Sequence, residues 1–220
     1  MLFENRAEAG RRLAGLLREY VGPQTVVLGL ARGGVVVAAE VAAELGACLD
    51  VLIARKIGAP GCPEYALGAI VEGGFAVANE AEIYSLELPE QYVHEVAAVE
   101  KQRIVELQQI YRGGRPRLDV DGRTVVLVDD GVATGCTVKA ALASLRARGA
   151  AILVVGVPVG PRETLASLRT LADVVVCLAS PEQFYAVGAF YEDFDQVTDD
   201  EVKACLAAAD CREAPCRPLL

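Results

Sequence analysis

The sequence has one histidine, no Cys-x-x-C pair, no apolar run of membrane length and fewer basic than acidic residues, and each shortage excludes something. With His94 as its sole imidazole, the crowding of Cys205, Cys211 and Cys216 does not match zinc-ligand spacing, and no metal ligand is assigned. Seven cysteines are an odd number and lie mostly within apolar stretches, so they read as free thiols. Residues 151–159 reach about half the length of a bilayer-spanning helix, and Glu40, Glu44 and Asp50 break up the richest stretch, which argues against a membrane span. Residues 1–12 alternate charged with apolar groups and contain no signal-peptide core, so a cytoplasmic location is expected. Twenty-one Lys and Arg against thirty Asp and Glu leave a formal charge of -9, which opposes binding to nucleic acid or anionic lipid. Neither a Gly-Lys-Ser/Thr phosphate loop nor a G-x-G-x-x-G fingerprint is present.

What is present is a chain of 220 residues, 53% apolar and 23% charged, which is enough to bury a substantial core. A helix should open at Asn5, with Glu8 completing the cap and Ala9, Leu13, Leu16 and Leu17 forming its apolar face. Residues 25–30 read as a strand, 31–34 as a turn, and 35–45 as a helix stopped by Gly46. A second buried strand is expected at 49–54, then a mobile Gly/Pro loop at 58–63 and short strands at 67–71 and 75–78. Residues 89–111 form a long amphipathic helix, with Val93, Val96, Ala97, Ile104, Leu107 and Ile110 on its apolar side. Strands at 124–128, 152–157 and 174–178 alternate with helices at 137–148 and after Pro161, and a last capping box pairs Thr198 with Glu201. Such alternation predicts an α/β fold, a doubly wound and mainly parallel sheet, with ligands bound beyond the carboxyl ends of its strands.

The most informative segment runs from Val125 to Thr137. An apolar strand ends in adjacent carboxylates, Asp129 and Asp130, which are costly to bury together without hydroxyl donors or a cation. Thr134, Gly135, Cys136 and Thr137 then open a helix whose unpaired N–H groups suit a phosphate. Carboxylates for a diol a few residues from a monophosphate seat describe a ribose 5-phosphate site. A second strand-to-helix loop, Leu30-Ala31-Arg32-Gly33-Gly34, adds glycine amides and a fixed cation.

The Val125–Thr137 segment resembles the 5-phosphoribosyl-1-pyrophosphate (PRPP) signature of the type I phosphoribosyltransferase family, and the resemblance extends over residues 5–207, looking closest to a bacterial group whose acceptor is unassigned. It implies one phosphoribosyltransferase-like unit over residues 1–209, with a helical insertion at 79–115, a candidate hood segment at 180–196 and a flexible tail at 210–220. It further implies that Asp129 and Asp130 hold the ribose hydroxyls and that Ala133, Thr134, Gly135, Cys136 and Thr137 hold the 5-phosphate. Ala31, Arg32, Gly33 and Gly34 resemble the family's pyrophosphate loop, with a non-proline cis peptide expected between Ala31 and Arg32. Lys56, at the end of the second strand, is the expected pyrophosphate-contacting base, the other reading being a solvated strand-end charge; Glu64 and Tyr65 would belong to a flap behind it.

Transfer would pass PRPP's phosphoribosyl group to a nitrogen nucleophile, with Mg²⁺ held mainly through substrate oxygens and water. Many purine-acting members carry an acid where this chain has Ala133, so either another group takes the acceptor's proton or the acceptor needs none removed. A non-catalytic PRPP sensor on the same fold is the alternative. A phosphatase using Asp129 as nucleophile lacks the Asp-x-Asp arrangement. Five of the chain's twelve aromatic residues, Phe184, Tyr185, Phe190, Tyr191 and Phe194, fall within residues 181–194 and suit either a stacking platform for the acceptor or core packing. His94 is assigned no role. Partners implied are PRPP, pyrophosphate, an unidentified acceptor and, through the long helix, a second copy of the chain.

Overall fold

The computed structural model describes residues 2–209, the side chains of Pro63, Glu64 and Glu90 excepted. The expected tail at 210–220, with Cys211 and Cys216, lies outside the described residues. So does any placement of the Glu64 side chain.

Five strands form a parallel sheet: β1 (Val26–Leu30), β2 (Cys48–Leu52), β6 (Thr124–Val128), β7 (Ile152–Val159) and β8 (Val174–Ala179), in the order β2-β1-β6-β7-β8. β6 is central, and its four residues after Thr124 are all buried, as both faces of a parallel sheet require. On one face Leu28, Leu127 and Val155 pack against α5 (Cys136–Ala147) and α6 (Arg162–Leu168). On the other, Val27, Val126 and Val154 pack against α1 (Arg6–Leu17), α2 (Gly33–Leu45), α7 (Asp199–Ala208) and the carboxyl half of α4 (Glu90–Arg112). The sheet is doubly wound as expected. β1 leads through α2 to one edge, while β6 leads through α5 toward the other. The chain therefore reverses direction across the sheet between β1 and β6, which pair Gly29 with Val128.

A second, antiparallel sheet, β3 (Ala54–Ala59), β4 (Cys62–Val71) and β5 (Phe75–Ala78), stands beyond β2 in the chain. Its buried Ile57, Ala59 and Leu67 are covered by Ile83 of the short helix α3 (Glu80–Ser85) and by Tyr92, Val93 and Val96 of α4. Two expectations are corrected here. The buried strand at 49–54 ends at Leu52, and the backbone restarts at Ala54 in a different sheet. Residues 58–63 are mostly strand rather than loop: Ala59 pairs with Cys62 across a Pro60-Gly61 turn in which Gly61 takes φ +71°. Proline and glycine here close a hairpin instead of breaking structure, and the register shifts on both sides of Gly58 absorb the irregularity.

The helix termini follow local chemistry. Asn5 accepts the Glu8 amide at 2.9 Å, while the Glu8 carboxylate turns to Arg12, so half of the expected box forms. Thr198 and Glu201 complete theirs. Two apolar faces shift by a position: Leu16 and Ile110 are exposed, and Ala14 and Tyr111 are buried in their stead. No helix among the described residues is long and apolar enough to cross a membrane.

Candidate functional site

The loops after β1 and β6 meet at the reversal point. Gly33 and Gly34 are obligatory there for a reason that only the assembled fold shows. A Cβ on Gly33 would stand 1.9 Å from Asp130 Oδ2, and one on Gly34 would stand 2.7 Å from the Val128 carbonyl and 2.9 Å from Asp129 Oδ1. The absent side chains are the space into which the carboxylates fit. The peptide between Ala31 and Arg32 is cis, as the resemblance implied.

Asp129 and Asp130 are half-buried at the floor of the cleft. Asp129 Oδ1 accepts the Asp130 amide at 2.9 Å, and Asp130 Oδ2 accepts Arg6 Nε at 2.7 Å. Burial, and then the neighbouring Asp130 charge, push the Asp129 carboxyl well above its ordinary range; burial raises Asp130 too, against the opposing pull of Arg6. Arg6 stacks 3.8 Å over the Phe194 ring and donates to the Asp195 carbonyl, so it is held on three sides.

Two cavities adjoin the pair. One, of about 720 Å³, is lined by Ala31, Arg32, Gly33, Lys56, Asp129 and Asp130 and extends to Tyr92, Glu100 and Arg103 of α4. The other, of about 270 Å³, is lined by Lys56, Asp129 and the loop from Gly131 through Thr137. Lys56, Asp129 and Thr137 border both, so the two form one cleft running from the first loop to the amino end of α5. Gly135 caps that helix at φ +74° with no side-chain bond from its own position, and the first-turn residues Cys136, Thr137 and Val138 line the smaller cavity. Ala133 is fastened through its carbonyl, which accepts Thr164 Oγ1 at 2.6 Å. Burial raises the Cys136 thiol while Lys139 and Lys56 oppose it, which marks the cationic field at this end.

The structure thus brings eleven of the twelve residues assigned to the site from sequence around one cleft, and the twelfth, Gly34, lies directly against Asp129 behind it. Lys56 comes by a different route from the one expected, from the middle of β3 rather than a strand end. Arg32 caps α2, and its guanidinium lies 3.7 Å from Asp199, which also accepts Tyr111 Oη at 2.6 Å. In the larger cavity Glu100 takes both Arg55 and Arg103.

The aromatic segment is mainly packing. Phe184, Phe190, Tyr191 and Phe194 cluster with Phe3, and only Tyr185 stands out at 85% exposure. Tyr191 Oη donates to the Asp130 carbonyl, and Val187 occupies the space a side chain at Gly131 would need, so this segment braces the carboxylate loop. Arg6, Asp199 and Glu100 were not singled out from sequence, and Tyr191 only as one of the clustered aromatic residues. Apart from Arg103, three residues after Glu100, their partners lie tens of residues away, 124 in the case of Arg6 and Asp130, and no local pattern announces such pairs.

An open α/β sheet of this kind binds its ligands at the reversal point, and a helix amino end there favours an anion. The phosphoribosyl transferase domain family matches residues 2–195, and the chain belongs to that family. A Mycobacterium tuberculosis H37Rv protein, whose name gives phosphoribosyl transferase as an unproven activity, is 48% identical over 94% of this chain. The chain spans about half the length, 47%, of the curated relatives it matches. The crystal structure of the Thermus thermophilus protein TT1426 is 46% identical, covering 94% of this chain and 99% of that one, with a TM-score of 0.79. A purine phosphoribosyltransferase from Pyrococcus horikoshii Ot3 shares the fold at 18% identity, 90% and 97% coverage and a TM-score of 0.50.

Proposed function

We propose that the chain transfers the 5-phosphoribosyl group of PRPP to a nitrogen nucleophile, a nucleobase or related amine, and releases pyrophosphate. The observation that carries this reading is the single cleft in which Asp129 sits between a cationic loop and the open end of α5. Amides and hydroxyls from Ala133 through Thr137 would bind the 5-phosphate, and Asp129 and Asp130 the ribose hydroxyls. Arg32, Lys56 and the amides of Ala31, Gly33 and Gly34 would face the pyrophosphate.

As the bond from C1 to pyrophosphate breaks, positive charge develops on the ribose ring and negative charge on the leaving group. Two carboxylates beneath the ring and cations beyond it complement that separation, and they gain most where it is greatest, in the transition state. The residues fit Mg²⁺. The described residues contain no group of three or more His, Cys, Asp or Glu suited to hold an ion alone, but hard oxygen ligands at Asp129 and Asp130, both raised in pKa by burial and Asp129 also by the charge of Asp130, suit a cation shared with substrate oxygens. When bound, Mg²⁺ would add positive charge beside the leaving pyrophosphate.

Ala133 carries no proton acceptor, which favours an acceptor nitrogen that attacks without prior deprotonation, and it also supports a second reading, a sensor that binds PRPP without turnover. Incubation with PRPP, Mg²⁺ and a panel of purines, pyrimidines and small amines separates them. Transfer predicts pyrophosphate release that depends on one acceptor; binding without release in every mixture favours the sensor. Nucleotide metabolism in the cytoplasm is the setting this reaction implies.

A further inference from the structure

A separate cavity of about 610 Å³ lies between the carboxyl half of α4, the β4–β5 turn and residues 114–117, and it shares no lining residue with the cleft. Its charged lining residues are Lys101, Arg112, Arg115 and Arg117, and among the described residues that line it none is acidic. That composition is unusual on a chain carrying -9 overall.

Arg112 is accounted for by the fold. It is buried, bonded to Asp50 at 3.0 Å and to Glu72 at 2.7 Å, and its charge is compensated there. Lys101, Arg115 and Arg117 are exposed around the opening, with the amide-bearing Gln108 and Gln109 on the same wall. Arg117 reaches over the turn so closely that a Cβ on Gly73 would be 3.2 Å from its Nη1. Arg148, whose Nη2 is bonded to the Leu118 carbonyl, is held below its ordinary pKa first by burial and then by the charge of Arg117. Like charges gathered at one opening repel, and a bound anion removes that cost. Guanidinium groups select phosphate through paired N–H donors. Val105, 58% exposed on the same lining, offers an apolar surface for the rest of such a ligand. The volume falls in the range of small-molecule sites.

We propose that this cavity is a second binding site, distinct from the cleft, for a small phosphorylated organic anion of nucleotide size. Calorimetry with ATP as the probe tests it, using the full chain with Arg32→Ala and Lys56→Ala, which removes from the cleft the two cations assigned to pyrophosphate. Binding is expected to persist in that protein, to weaken as salt rises, and to fall by about tenfold or more when Lys101→Glu and Arg117→Glu are added. The milder pair Lys101→Gln and Arg117→Gln should give an intermediate loss, and unchanged melting curves for either pair separate lost binding from lost folding. No ATP binding by the protein with Arg32→Ala and Lys56→Ala, or equal binding after charge reversal, overturns the proposal.

Discussion

Asp129 carries the sharpest conflict between folding and chemistry. Its carboxyl is raised above the ordinary value by burial first and by Asp130 second. In the unfolded chain it ionises near 3.8, so between that pH and its raised folded value the native state holds more protons than the unfolded one. Stability therefore falls as pH rises through that window, and the loss is complete above the folded value. Asp129→Asn keeps an oxygen for the Asp130 amide and removes the charge. The ligand-free variant should melt about 2–4 °C above the wild type at pH 8, the shift that about 1 kcal/mol gives a chain of this size. The gap should close as pH falls toward the ordinary carboxylate value, and equal melting at pH 8 would contradict a costly buried charge. Gly33 is constrained in the opposite sense: Gly33→Ala drives a methyl group into Asp130 and Arg6. An overpacking cost of about 1–3 kcal/mol is expected in denaturant titration, together with weaker PRPP binding.

At the level of elements, the antiparallel sheet is the part that delivers Lys56; its Ala54, Ala69 and Val71 join the main core, while Ile57, Ala59 and Leu67 form a small core of its own. Leu67→Ala empties the centre of that core and should cost about 2–4 kcal/mol. Hydrogen exchange is the direct check: β3 amides should exchange faster while those of β6 keep their protection, since the two belong to different sheets. Uniform loss across both sheets would show that the hairpin does not open separately. This sheet is also where sequence reading was least successful. Val125 to Val128 can be read as a central strand because every residue is apolar, whereas Gly58, Pro60, Gly61 and Pro63 signal a turn without saying how short it is. Pairing of Ala59 with Cys62 depends on a partner strand and on α4 above it, which no local window contains. Caps at Asn5 and Thr198, by contrast, depend on residues three positions away and were legible.

In the molecule as a whole, the positions of the two loops follow from topology. Once β1 and β6 are neighbours and their helices cross to opposite faces, the loops after them must meet at one edge. Eleven of the twelve candidate positions, all but Lys56, lie in these loops and could be chosen from sequence because both loops carry their own local chemistry. The residues that secure them, Arg6 on α1, Asp199 on α7 and Tyr191 before it, arrive from distant parts of the chain, and only the closed fold reveals them. Calorimetry of PRPP binding in Mg²⁺, comparing the wild type with the variant carrying both Asp129→Asn and Asp130→Asn, reaches the root of the functional reading. Saturable binding by the wild type and none by the double variant, with both folded, is the outcome expected; equal affinity in the two proteins would show that the carboxylate pair does not hold the sugar.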